Sequence, residues 1–177
     1  RIQQEALTAL DDTRREGNRA GLVVLATGMG KTWLSAFDSV KFKRVLFVAH
    51  REEILRQARS TFRRIRPEAS FGLYTGTEKL PDSDVLFASV QTLGRASHLD
   101  RFAEDAFDYI IVDEFHHAAA STYRRLIDHF EPEFLLGLTA TPERADGLPI
   151  LDWFEGRISA ELRLWDAIDQ HRLVPFV

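Results

Sequence analysis

Five short runs of uninterrupted apolar residues recur along the chain, each followed by a stretch with helical periodicity. They are Leu22-Val23-Val24-Leu25, Val45-Leu46-Phe47-Val48, Val85-Leu86-Phe87, Tyr109-Ile110-Ile111-Val112 and Phe134-Leu135-Leu136-Gly137-Leu138. A strand with one wet face alternates apolar and polar residues; these runs do not alternate, so each must be covered on both faces. Helical stretches near 3–15, 31–41, 51–66, 90–103, 119–130 and 160–171 supply the cover. The pattern predicts an α/β fold with a mostly parallel sheet and helices on both faces. Ligands in such folds gather beyond the carboxyl ends of the strands, so the residues following each run are the first candidates for function.

The chain of 177 residues suits one well-packed domain. No apolar run reaches the roughly 20 residues of a membrane span, and no signal-peptide pattern opens the sequence. Cysteine is absent, which removes disulfides and thiolate metal sites and fits a cytoplasmic setting. Arg1 at one end and the apolar Leu173–Val177 at the other give the expectation of a piece cut from a longer protein. A net charge of −4 argues against a general positive field for nucleic acid. The cations are concentrated, however: Lys41, Lys43, Arg44, Arg51, Arg56, Arg59, Arg63, Arg64 and Arg66 face only Glu52 and Glu53 between 41 and 66. Within that stretch Ile54, Leu55, Ala58, Phe62 and Ile65 share one helix face. The arginines at 56–64 fall on another and read as a solvated surface. Arg51, at the strand-to-helix junction, is the better candidate for contact with an anionic strand.

After the first run comes Ala26-Thr27-Gly28-Met29-Gly30-Lys31-Thr32 and then a helical pattern. Gly28 and Gly30 let successive backbone N–H groups converge on one concavity. Lys31 supplies a positive charge for terminal phosphates, and the Thr32 hydroxyl can ligate Mg²⁺. The helix N-terminus adds partial positive charge. Leu25 departs from the small residue that usually opens such a loop. Lys31 is expected at an exposed site, so its loss should cost nucleotide binding and leave the fold intact. Asp113-Glu114-Phe115-His116 follows the fourth run. There Asp113 can complete the Mg²⁺ shell, and Glu114 can orient and deprotonate an attacking water. His116 fits a hydrogen-bonded switch better than zinc, since His116 and His117 lack further ligands at metal spacing.

Taken together, these residues resemble the DEAH-type superfamily 2 helicases, across essentially the whole chain. The resemblance implies a RecA-like ATP-binding domain over 1–155, with 156–177 leading toward a second RecA-like domain. It makes Gln3, with Gln4 as the alternative register, the adenine reader. Together with Gln3, residues Thr27, Gly28, Met29, Gly30, Lys31 and Thr32 then bind ATP. Lys31, Asp113, Glu114 and His116 are catalytic, with Thr32 and Asp113 holding Mg. His50 and Arg51 are similar to motif Ia, and Thr75, Gly76, Ser89, Gln91 and Thr92 look like further contacts to a nucleic-acid backbone. Thr139-Ala140-Thr141-Pro142 resembles motif III, which couples the two sites. The wording at 44–55 and 136–147 looks most like the branch of restriction-enzyme motor subunits and DNA repair translocases. DNA is therefore expected ahead of RNA, with no membrane partner. Without the second domain's arginine finger, worth about 10³–10⁵ in turnover, residues 1–177 alone are expected to hydrolyse ATP poorly.

Other phosphate-loop proteins fit less well. The only asparagine, Asn18, precedes Arg19, so the guanine-reading Asn-Lys-x-Asp of a GTPase is missing. A nucleotide kinase leaves 88–93 and 139–142 unexplained. A nucleotide-gated switch that binds without turnover is the non-enzyme alternative, and Glu114 argues against it. Trp153, Phe154 and Trp165 could stack on bases but sit in apolar surroundings that favour packing.

Overall fold

The computed structural model describes residues 2–24, 28–76, 82–114, 121–139 and 160–162. In chain order the elements are α1 (Ile2–Arg15), β1 (Ala20–Val24), α2 (Gly28–Ser39), β2 (Val45–Ala49), α3 (Glu52–Ile65), β3 (Phe71–Tyr74) and β4 (Val85–Ser89). Then follow α4 (Val90–Leu93), α5 (Ala96–Leu99), β5 (Tyr109–Val112), α6 (Ser121–His129), β6 (Phe134–Thr139) and β7 (Ala160–Leu162). The strands form one seven-stranded sheet in the order β3-β4-β2-β5-β6-β1-β7. Every pairing is parallel.

The continuous apolar runs are explained by two separate cores, one on each face. Val23, Phe47, Phe87, Ile111 and Leu136 point to one side, against Ala6 and Leu10 of α1, Leu34 of α2, and Leu55, Ala58 and Phe62 of α3. Their neighbours Leu22, Val48, Leu86, Ile110 and Leu135 point to the other, against Val90, Leu93 and Leu99 and against Tyr123, Leu126 and Ile127 of α6. Phe62 stands edge-on to Phe47 and Phe87, with ring centroids 5.8 and 5.2 Å away. That cluster seats α3 by its predicted apolar face. Among the described residues no helix is long and apolar enough to cross a membrane.

Three expectations need correction. The helix expected from 160 does not begin there, since Ala160–Leu162 is a strand paired with Gly21–Val23 of β1. Ala, Glu and Leu are good helix formers, and backbone pairing at the sheet edge overrides that preference. β3 was not anticipated, because Phe71-Gly72-Leu73-Tyr74 is short and carries a glycine inside the run. The single helix expected over 90–103 is broken into α4 and α5. Arg95 between them is extended, at φ −77° and ψ 141°. Gly94 is required there by close approach: a Cβ would lie 2.6 Å from the Val90 carbonyl oxygen and 2.8 Å from that of Thr122. The start of α6 thus packs directly on the end of α4, and Arg125 Nη1 donates to the Gly94 carbonyl at 2.8 Å.

Candidate functional site

The carboxyl ends of the strands divide into two halves. At the ends of β5, β6 and β1 lie Asp113-Glu114, Thr139 and the first turn of α2. At the ends of β3, β4 and β2 lie Thr75-Gly76, Ser89–Thr92 and His50-Arg51. Sheet order therefore gathers the helix that carries Lys31 and the acidic pair in one half, one strand apart, and the residues expected to touch a nucleic-acid strand in the other.

Asp113 is held by the sheet itself, since its backbone N–H donates to the Val48 carbonyl of β2 at 2.9 Å. The residue is only 5% exposed. Lys31, in the first turn of α2, reaches across with Nζ 3.4 Å from Asp113 Oδ1 and 3.0 Å from Glu114 Oε2. The lysine is 2% exposed, so the expectation of an exposed site is wrong. It is enclosed because α2 runs beneath the sheet edge and aims its first turn at the end of β5. Burial raises the Asp113 pKa, the Lys31 charge opposes that rise, and the Glu114 carboxylate adds to it. Lys31 therefore offsets the charge of two neighbouring carboxylates, of which Asp113 is buried and Glu114 partly exposed. Glu114 leaves the strand at φ 54°, in the left-handed region that non-glycine residues seldom occupy. Such a conformation is retained where the surrounding structure fixes it, commonly at functional sites.

The donor set suits magnesium. Asp113 Oδ1 is buried without a hydrogen-bond partner, and Thr32 follows Lys31 on the same helix turn. Among the described residues no group of three or more His, Cys, Asp or Glu side chains could hold a metal. A sparse set of one carboxylate and one hydroxyl is what Mg²⁺ uses when phosphate oxygens and water complete its shell. Thr139 is fully buried at the end of β6, between β5 and β1. It thus adjoins both the strand leading to Lys31 and the strand leading to Asp113.

On the other half, Ala49 of β2 is in register with Ser89 of β4. Just beyond them Gln91 Nε2 donates to His50 Nδ1 at 3.2 Å. His50, Arg51, Gly76 and Gln91 are exposed and Thr92 is half-buried. Thr75 and Ser89 are 1% and 6% exposed. The Ser89 hydroxyl caps α4 by accepting from the Thr92 backbone N–H at 3.3 Å, so it shapes the surface from beneath. Arg66 is half-buried and structural, donating to the Ser39 and Phe42 carbonyls. Thr27, His116, Ala140, Thr141, Trp153, Phe154 and Trp165, and the side chains of Gln3 and Met29, lie outside the described residues.

Sequence reasoning missed a buried tie that holds the site together from behind. Arg14 of α1 grips the fully buried Asp38 of α2 through both terminal nitrogens, at 2.8 and 2.7 Å. The Tyr109 hydroxyl of β5 donates to the same carboxylate at 2.7 Å. The guanidinium also lies over the rings of Phe134 and Phe42, 4.9 and 5.4 Å from their centroids. Burial and the Asp38 charge push the Tyr109 phenol well above its ordinary pKa, so it remains a donor. Burial works against the Arg14 charge, yet Asp38 outweighs it and the net shift is upward. This network locks the far end of the Lys31 helix to the strand that ends in Asp113. Nothing in the local pattern around Arg14 or Asp38 announces it, because its members are joined only by the fold.

Comparisons with known proteins identify the family and the fold. The family model described as type III restriction enzyme, res subunit, matches residues 1–144. IRC3 of Saccharomyces cerevisiae, which carries an ATP-dependent helicase name, is 35% identical over 81% of this chain and 23% of its own length. The chain spans about a quarter of the length of this relative, of its Schizosaccharomyces pombe counterpart and of a mimivirus helicase-named protein. Among solved structures, the Hef helicase domain of Pyrococcus furiosus superposes with a TM-score of 0.67 at 25% identity, covering 92% of this chain and 38% of that one. The SWI2/SNF2 ATPase core of Sulfolobus solfataricus, in complex with double-stranded DNA, gives 0.65 at 19% identity over 80% of this chain and 31% of that one. At that identity the likeness speaks for the fold alone.

Proposed function

This chain belongs to the type III restriction enzyme res subunit family, and from that premise we propose that it forms the RecA-like ATP-binding domain of a superfamily 2 helicase, an ATP-driven motor on DNA. The observation that carries the proposal is Lys31 set between Asp113 and Glu114 at the carboxyl edge, beside an exposed strip of His50, Arg51, Gly76 and Gln91.

Lys31 takes the charge of the terminal phosphates, exchanging its carboxylate partners for phosphate oxygens. Thr32 and Asp113 would hold Mg²⁺, which would supply positive charge to offset that of the phosphates. Glu114, released from Lys31, orients the attacking water and accepts its proton. The strip engages phosphates rather than bases, which suits a motor that must travel along any sequence. Thr139 adjoins the strands of both Lys31 and Asp113, and with Ala140 and Thr141 it is the proposed relay between nucleotide and DNA. Gln3 reads adenine, Thr27 through Gly30 cradle the phosphates, and His116 is the switch. Residues 156–177 lead to a second RecA-like domain, which supplies the arginine that completes turnover.

DNA is favoured over RNA by the restriction-enzyme family to which the chain belongs. Steady-state ATP hydrolysis by the full-length protein, with single-stranded DNA, duplex DNA and RNA side by side, tests the reading. Stimulation by DNA is expected. Equal rates with and without any nucleic acid would overturn it.

A further inference from the structure

Helix α3 carries cations that neither the core nor the strip at the carboxyl edge uses. Arg56, Arg59 and Arg63 fall within about 60° of one another around the helix axis, at roughly 100° per residue. Arg56 lies 3.8 Å from Glu52. Arg59 and Arg63 form no ion pair with any described residue. Spaced four residues apart, these two are neighbours of like charge, an arrangement that destabilises a helix. Composition does not force it, since acids outnumber bases and the net charge is −4. The helix is seated by Leu55, Ala58 and Phe62 instead. A stripe that weakens its own helix and packs nothing of the core is suited to an anionic partner.

The fold fixes where that stripe lies. α3 begins directly after Arg51 at the carboxyl end of β2 and returns toward the amino end of β3. Arg63 stands over the ring of Phe71, 5.9 Å from its centroid, and Phe71 opens β3, the outermost strand on that side. The stripe therefore descends the flank of the sheet from the half where His50, Arg51, Gly76 and Gln91 are exposed. At about 1.5 Å per residue, Arg59 and Arg63 stand roughly 10 and 16 Å further along the axis than Glu52. A single backbone lying on the carboxyl edge does not reach them. A second backbone does, because the two strands of B-DNA are about 12 Å apart across the major groove.

We propose that Arg59 and Arg63, with Arg56 beside them, grip the second strand of a DNA duplex whose first strand lies on the carboxyl edge. The inference rests on the reading of that edge as the strand-contact half, and it makes double-stranded DNA the polymer engaged. Guanidinium groups bind phosphate through paired N–H donors and read no sequence there. Phosphate between Arg59 and Arg63 also relieves their mutual repulsion. Arg59 is half-buried and Arg63 rests on an aromatic face, so both are partly held in place before DNA arrives.

The test replaces both residues, Arg59→Gln with Arg63→Gln, in the full-length protein. Binding of labelled duplex and single-stranded DNA of equal length is followed by fluorescence anisotropy at several salt concentrations, without nucleotide. For duplex, the slope of log affinity against log salt should fall by about 1.8, two phosphates at about 0.9 each. The single-strand slope should be unchanged, and the melting temperature equal or higher. The pair Arg59→Lys with Arg63→Lys should keep the parent's duplex slope. An unchanged duplex slope in the glutamine pair would overturn the inference and leave the stripe to an acidic protein. An equal fall on single strands, or a lysine pair that loses as much as the glutamine pair, would overturn it too. A parent that binds no DNA, or Arg51→Ala with parent-like slopes on both polymers, would instead remove the reading beneath it.

Discussion

Replacing Lys31 with alanine withdraws the ammonium group that lies 3.0 Å from Glu114 and 3.4 Å from Asp113. Deleting one partner of a fully enclosed ion pair costs about 3–5 kcal/mol, because the other charge stays buried and uncompensated. The Glu114 side chain is 29% exposed, so water screens its share; the Asp113 side chain is 8% exposed and bears most of the penalty. We expect a loss of about 2–3 kcal/mol at pH 7, which for a chain of this size lowers Tm by about 4–12 °C. The loss depends on pH in a defined direction. Burial already raises the Asp113 pKa from 3.8, and Lys31 opposes that rise. Without Lys31 the folded carboxyl holds its proton to higher pH than the unfolded chain does. Stability is then greatest below the unfolded value and is lost as pH climbs through the folded one. The deficit of the variant should therefore be larger at about pH 7 than at about pH 5. Urea unfolding of parent and variant across that range measures it. A variant as stable as the parent at pH 7, or a deficit that shrinks as pH rises, would refute the reasoning.

Asp38→Ala leaves the Arg14 guanidinium and the Tyr109 hydroxyl facing an empty, buried position. A loss of about 3 kcal/mol or more by chemical unfolding is expected, without direct damage to groups that touch nucleotide. Gly94→Ala forces a Cβ to within 2.6 and 2.8 Å of two backbone carbonyl oxygens. It should destabilise by about 1–3 kcal/mol, with α4 and α6 losing amide exchange protection before the rest of the sheet. Arg51→Ala, at an exposed junction, should leave Tm unchanged. It should weaken DNA binding for all sequences alike and reduce the salt slope by about one unit, read by fluorescence anisotropy at several salt concentrations.

The layered fold was legible because burial on both faces of a sheet imposes continuous apolar runs, and the runs at 45–48 and 109–112 could scarcely be read otherwise. The arrangement of the site followed from position after those runs: a residue at the end of a parallel strand is delivered to the ligand edge whatever its neighbours do. What escaped were features decided by pairing across the chain. β7 is a strand only because β1 offers it backbone partners, and Gly94 interrupts a helix pattern only because α6 lies against it. The enclosure of Lys31 escaped for the same reason, since an exposed phosphate-loop lysine and a buried one have identical local sequence.

The most direct test of the account is calorimetric titration of Mg²⁺–ATP onto the parent, Lys31→Ala and Glu114→Gln proteins. Glu114→Gln keeps the side-chain length and a similar tolerance of the left-handed backbone at 114, so it removes the base and little else. The account predicts that Glu114→Gln binds nucleotide at least as tightly as the parent while failing to hydrolyse it, and that Lys31→Ala shows no measurable binding. Parent-like affinity in Lys31→Ala would contradict the claim that this lysine and the two carboxylates beside it form the nucleotide site.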